Sequence, residues 1–111
     1  MSLNELAAQA RAIAVSKGWE DGHRSFGDII ALMHSELSEA LEEHRSGRGA
    51  TEIYYRAEAP DKPEGIPIEL ADTFIRILHF VGQHEIDFDR AVDLKMSYNA
   101  TRPHRHGGKT I

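Results

Sequence analysis

The sequence predicts an all-α protein, a four-helix bundle-type fold formed by a single domain over residues 1–111. Three observations lead there. Four segments carry apolar residues at helical spacing, with cap or breaker residues around them. One long crossover, residues 47–65, concentrates Gly47, Gly49, Pro60, Pro63 and Gly65. The chain has 111 residues, the length of one domain.

The elements follow in order. Asn4 is the expected N-cap of a first helix, Glu5 to Lys17, where Leu6, Ala10, Ile13 and Ala14 recur at helical spacing. Gly18 suits the left-handed residue that ends it. A polar connection, Trp19 to Arg24, holds the only tryptophan. Ser25, with Asp28 three residues on, opens the second helix. Its apolar stripe is Phe26, Ile29, Ile30, Met33, Leu37 and Ala40, and it runs out near Ser46-Gly47. In the crossover, Glu52 to Arg56 reads as a short strand or an extended lid. The third helix starts at Ile66-Pro67, proline being tolerated at an early helical position. Ile66, Leu70, Phe74, Ile77, Leu78 and Val81 form its main stripe, which Ile68, Ala71 and Ile75 widen past half the circumference. Such a helix is expected to be buried on more than one side. Its polar stripe is only Glu69, Asp72, Arg76 and His79. Asp87 caps a fourth helix, Phe88 to about Asn99, with Val92 and Met96 expected to face inward. Arg102-Pro103 stops it, and residues 103–111 form a tail with little to pack.

Composition excludes several classes. There are no cysteines, so disulfides and thiolate metal sites are ruled out. A formal net charge of −5 argues against a general nucleic-acid surface. No apolar run is long enough to span a bilayer, so no membrane association is expected. Met1 to Leu6 lacks a basic and then apolar leader pattern, which makes a cytoplasmic location the expectation. No glycine-rich phosphate loop or nucleophile elbow is present.

The chemistry concentrates in two carboxylate pairs, Glu36/Glu39 on the second helix and Glu69/Asp72 on the third. Residues three apart share one side of a helix. If the two helices pack together, four acids converge, and they repel unless a cation sits among them. Oxygen-only ligands suit Mg²⁺, with Mn²⁺ as the alternative. The bland readings are a solvated face for Glu36 and Glu39, and a salt bridge from Arg76 for Glu69 and Asp72. Glu42 and Glu43 belong mostly to the solvated face, with a supporting role at the same edge open to Glu43. Lys95, Asn99 and Arg102, at i, i+4 and i+7, are either an ordinary exposed face or a phosphate-binding row. Trp19 either staples the first loop or offers a flat face to a base. His104 and His106 in the tail read as solvated rather than metal-binding.

Glu36-x-x-Glu39, then Glu69-x-x-Asp72, then Lys95-Met96-Ser97-Tyr98-Asn99 and Thr101-Arg102-Pro103, resemble the pattern of the MazG-like all-α nucleoside triphosphate pyrophosphohydrolases. The likeness covers about Gly18 to Lys109. Two features depart from it. Ser35 stands where the family often has a further glutamate, and the interval between Glu39 and Glu69 is longer than usual. The resemblance implies a homodimer or homotetramer (a dimer of dimers). It implies Mg²⁺-dependent hydrolysis of a nucleoside triphosphate to the monophosphate and pyrophosphate. Glu36, Glu39, Glu69 and Asp72 would be metal ligands, with Glu36 or Glu39 doubling as the catalytic base. Lys95, Asn99 and Arg102 would hold the polyphosphate, and Trp19 the base. The competing expectations are a non-catalytic α-helical interaction module, and a metal- or nucleotide-binding sensor without turnover.

Overall fold

The structure, a computed structural model, describes residues 1–104. It is mostly helical: α1 (Leu3–Ser16), α2 (Phe26–Arg45), α3 (Ile66–Gln83) and α4 (Phe88–Thr101). Between α2 and α3 lies an antiparallel hairpin, β1 (Tyr54–Arg56) and β2 (Ala59–Glu64). The tail reading, His106 included, falls almost wholly outside the described residues. No helix among them is long and apolar enough to cross a membrane.

Helix α3 is the axis of the molecule, with α1 packed on one side and α2 on another. Its wide apolar arc explains that position, because a helix with two neighbours needs two apolar faces. Ala7 of α1 and Leu78 and Val81 of α3 are the buried centre, with Leu6, Ala10, Ile77 and Phe88 packed around them. The α1/α3 crossing is close because both surfaces are small there. A Cβ added at Gly82 would lie 2.5 Å from the Ala7 carbonyl oxygen and 3.2 Å from Cβ of Arg11. Gly82→Ala is therefore expected to force the helices apart and to cost about 1–3 kcal/mol. A lower midpoint in thermal unfolding checks this, and an unchanged midpoint would mean that the crossing has slack.

Capping matches the sequence at most ends. Ser25 and Asp28 form a reciprocal capping box on α2, and Asp87 caps α4. Gly18 and Gly47 take φ values of 72° and 88° just past α1 and α2. The first helix is a correction. Ser2, not Asn4, is its N-cap, in a capping box with Glu5. Asn4 lies inside α1 and serves another helix: its Oδ1 accepts from the backbone N–H of Phe88 (2.8 Å) and Asp89 (3.2 Å). Asp89 reciprocates by accepting from the N–H of Leu3 and Asn4. The starts of α1 and α4 thus satisfy each other's unpaired donors.

Two burial expectations fail. Met96 is 66% exposed rather than inward, because α4 is tied to the body at its first turn and its far half projects; of the two expected inward residues, Val92 is half-buried. Leu37 on α2 and Leu70, Phe74 and Ile75 on α3 are also exposed, although their stripes predict burial. The radius of gyration is 16.8 Å, against roughly 13 Å for a compact chain of this length.

The crossover holds more structure than expected. Tyr54 pairs with Glu64 and Arg56 with Ala59, with an irregularity between. Tyr54 Oη donates to the Glu43 carboxylate at 2.9 Å, and the Arg48 guanidinium lies 3.6 Å over the Tyr54 ring. These contacts pin the hairpin to the end of α2. Gly65 joins it to α3 at φ 125°, with its Cα against the Glu52 carbonyl, so the turn requires glycine.

Candidate metal centre

The acids come together because α2 and α3 pack side by side. Carboxylate oxygens of Glu36, Glu69 and Asp72 all lie within 4.8 Å of one another. Glu39, one turn further along α2, stands outside that group of three but is close enough to raise the pKa of Glu69. The structure therefore brings the four sequence-predicted acids to one place, three of them close enough to share an ion.

The electrostatics are those of like charges held close together and partly desolvated. Glu69 is pushed up to about 7, first by desolvation, then by its hydrogen bond with Glu39 and the charges of Glu39, Asp72 and Glu36. Asp72 is also raised, by desolvation first and then by Glu36 and Glu39, while Arg76 and Lys62 pull it back. Glu69 Oε2 is buried without a hydrogen-bond partner among the described residues. A buried acceptor left open this way is costly in a purely structural ion-pair cluster. An all-oxygen donor set with one open, desolvated oxygen fits Mg²⁺ or Mn²⁺.

The bland salt bridge is not between the residues expected. Arg76 Nε donates to Glu36 Oε1 at 2.8 Å, across from α3 to α2, rather than to Glu69 or Asp72 on its own helix. Arg76 thus braces one acid of the cluster from behind. Glu42 pairs with Arg45 in solvent, and Glu43 holds the hairpin through Tyr54.

Beyond Arg76 the groove between α2 and α3 opens into a cavity of about 350 Å³, bounded by Trp19, Glu20, Leu32, His79 and Phe80 among others. Trp19 is 57% exposed at the edge of this cavity. At the base, His79 Nε2 lies 2.6 Å from Glu20 Oε2, with Arg11 Nε at 3.5 Å from the same oxygen. The His79 hydrogen bond, with the Arg11 charge behind it, holds Glu20 below the usual carboxylate range.

The phosphate-binding row stands apart. Lys95 and Asn99 on the far half of α4, and Arg102 just past its end, are exposed; α4 packs mainly on α1, and its first residue, Phe88, joins the core shared with α3. Lys95 and Arg102 approach the Tyr98 ring at 5.0 and 5.8 Å. Three contributors were not singled out by sequence reasoning: Glu20, Lys62 and the Arg76–Glu36 pairing. His79 in the polar stripe of α3 was the one signal for the Glu20 contact. Compared with known proteins, the chain matches no family model, no curated protein and no solved structure.

Proposed function

We propose that this protein is a Mg²⁺-dependent nucleoside triphosphate pyrophosphohydrolase of the MazG-like kind, releasing the nucleoside monophosphate and pyrophosphate. The observation that carries this reading is the convergence of Glu36, Glu69 and Asp72 within 4.8 Å, from two helices, around an unsatisfied buried oxygen. The motif order along the sequence supports the substrate class.

Glu36, Glu69 and Asp72 would hold the ion, with Glu39 at its edge. When bound, Mg²⁺ neutralises phosphate oxygens and makes the α-phosphorus easier to attack. The base is Glu36 or Glu39, which stand one turn apart on the α2 side of the acid cluster, Glu36 being the one that touches Arg76. The carboxylate of the base orients a water and takes its proton as the water oxygen bonds to the α-phosphorus. The bond from that phosphorus to the bridging oxygen breaks, and pyrophosphate departs. The groove toward Trp19 gives the nucleoside a place beside the acids, with the indole available for stacking.

The chain acts as a dimer or a dimer of dimers. Exposed apolar pairs one turn apart, Leu37/Leu41 on α2 and Leu70/Phe74 on α3, need a cover. A second copy would also supply a phosphate-binding row, since within one chain α4 packs mainly on α1 and its far half, with Lys95 and Asn99, is exposed. Lys95, Asn99 and Arg102 of a partner would then meet the pyrophosphate end. Sedimentation should show a dimer or tetramer at micromolar concentration, and Phe74→Glu should shift it toward monomer. A monomeric wild type would contradict the assembly. A non-catalytic helical interaction module is the competing reading, and the same exposed pairs favour it.

Turnover separates the two. Each common ribo- and deoxyribonucleoside triphosphate is incubated with the protein, with and without Mg²⁺, and pyrophosphate is measured. Mg²⁺-dependent release that is lost in Glu39→Gln supports the hydrolase. Absence of release from every substrate rejects it.

A further inference from the structure

Along α3 the residues Glu69, Asp72, Arg76 and His79 follow one another at intervals of three or four, so they form one line on the helix. The first two belong to the acid cluster. The last two bound the cavity that also contains Trp19. Arg76 meets both, bonding to Glu36 of the cluster and lining the cavity.

The bond to Glu36 uses Nε alone. Neither Nη of Arg76 has a hydrogen-bond partner among the described residues. A guanidinium anchored through Nε keeps its plane fixed and leaves two amino groups free to donate, a geometry that matches a phosphoryl oxygen. Arg76 also lines the cavity, so its unpaired amino groups belong to a residue at the cavity edge.

We propose that Arg76 is a substrate-contacting residue whose Nη groups grip the α-phosphoryl group, at the junction between the polyphosphate over the acids and the nucleoside in the cavity. This assignment rests on the hydrolase reading of the acid cluster. It is the α-phosphoryl group that Arg76 meets, because a nucleotide laid along the groove with its β- and γ-phosphates at the acids and its base at Trp19 passes Arg76 at that phosphate. The same side chain, through Nε, keeps Glu36 aimed at the ion. Binding of the reacting phosphate and alignment of a metal ligand are thereby linked through one planar group.

Product affinities test this, since they divide the substrate at the α-phosphate. With saturating Mn²⁺, the probes are the common nucleoside monophosphates, inorganic pyrophosphate, and α,β-methylene analogues of the ribo- and deoxyribonucleoside triphosphates. They are titrated into wild type, Arg76→Gln and Arg76→Lys. The expected result is about a tenfold or larger loss of monophosphate and analogue affinity in Arg76→Gln, with a smaller loss in Arg76→Lys, which keeps charge without the fork. Pyrophosphate affinity should stay within about twofold. Mn²⁺ affinity measured alone should hold or tighten, because a competing cation has left Glu36.

Unchanged monophosphate affinity would overturn the assignment, as would equal losses for monophosphate and pyrophosphate, which mark a general charge effect. Loss of Mn²⁺ affinity matching the nucleotide loss would reduce Arg76 to a brace for Glu36. If Arg76→Gln does not fold by circular dichroism, Arg76→Lys carries the same comparison. Wild-type protein that binds Mn²⁺ but no nucleotide probe removes the hydrolase reading itself, whereas binding by wild type with no effect in the variants removes only the role of Arg76.

Discussion

Asp72→Asn is expected to lower Mg²⁺-dependent pyrophosphate release by on the order of 10²–10³-fold or more while leaving the fold intact. Asp72 is exposed as a residue, so the neutral amide removes no packing. It is also one of the three acids close enough to share an ion. In the metal-free protein its charge is a liability, because desolvation and then Glu36 and Glu39 act against it more than Arg76 and Lys62 offset. Losing that charge should make the metal-free fold no less stable. Weaker metal binding and lost turnover, with an unchanged or higher unfolding midpoint, is a combination that a structural salt-bridge role does not produce. Steady-state kinetics over a range of Mg²⁺ concentrations, with thermal unfolding in chelator, reads both. Full activity in Asp72→Asn would place the catalytic acids elsewhere.

Glu69→Gln should separate stability from function more sharply. Glu69 has a folded-state pKa raised from 4.5 to about 7. Between those values the folded chain holds a proton that the unfolded chain releases. The metal-free protein therefore loses stability as pH rises from about 4.5 to about 7, and the loss is complete above that. A neutral glutamine escapes the penalty and can still hydrogen-bond to Glu39. Near pH 8 without metal, Glu69→Gln is expected to be more stable than wild type by about 1–2 kcal/mol, allowing for partial solvent screening. Near pH 4 the difference should vanish. Saturating Mg²⁺ should reverse the order near pH 8, because only wild type retains the ligand. Denaturant unfolding at the two pH values, with chelator or with Mg²⁺, gives all the comparisons. A variant less stable than wild type near pH 8 in chelator would mean that Glu69 is not the strained member of the cluster.

Much of this was legible in the sequence, for local reasons. Ser25 and Asp28, Gly18, Gly47 and Asp87 punctuate helices through backbone chemistry that depends on a few neighbours, and they act as the sequence predicts. The acid pairs were legible because spacing on a helix fixes their side, and the broad apolar arc of α3 requires neighbours on two sides. Asn4 misleads as a cap because Ser2 and Asn4 are both competent caps. Its use on α4 depends on a contact across 84 positions of sequence, from Asn4 to Phe88. The second strand was hidden by Pro60 and Pro63, which disfavour a strand except at an edge, and a two-stranded hairpin consists only of edges. Arg76 was assigned to its own helix because i, i+4 neighbours are visible in sequence, whereas the position of Glu36 across the groove is not. The inward placement of Met96 failed because an apolar residue at helical spacing signals a surface to be covered without saying whether its own chain covers it.

Calorimetric titration of Mn²⁺ into the protein, near pH 6 and near pH 8 in buffers of different ionisation heat, addresses the shared carboxylate site most directly. Binding should be tighter near pH 8. Near pH 6 it should release close to one proton, the one on Glu69, and both Glu36→Gln and Asp72→Asn should abolish or greatly weaken it. Binding that is independent of pH and indifferent to both substitutions would show that α2 and α3 do not hold an ion between them.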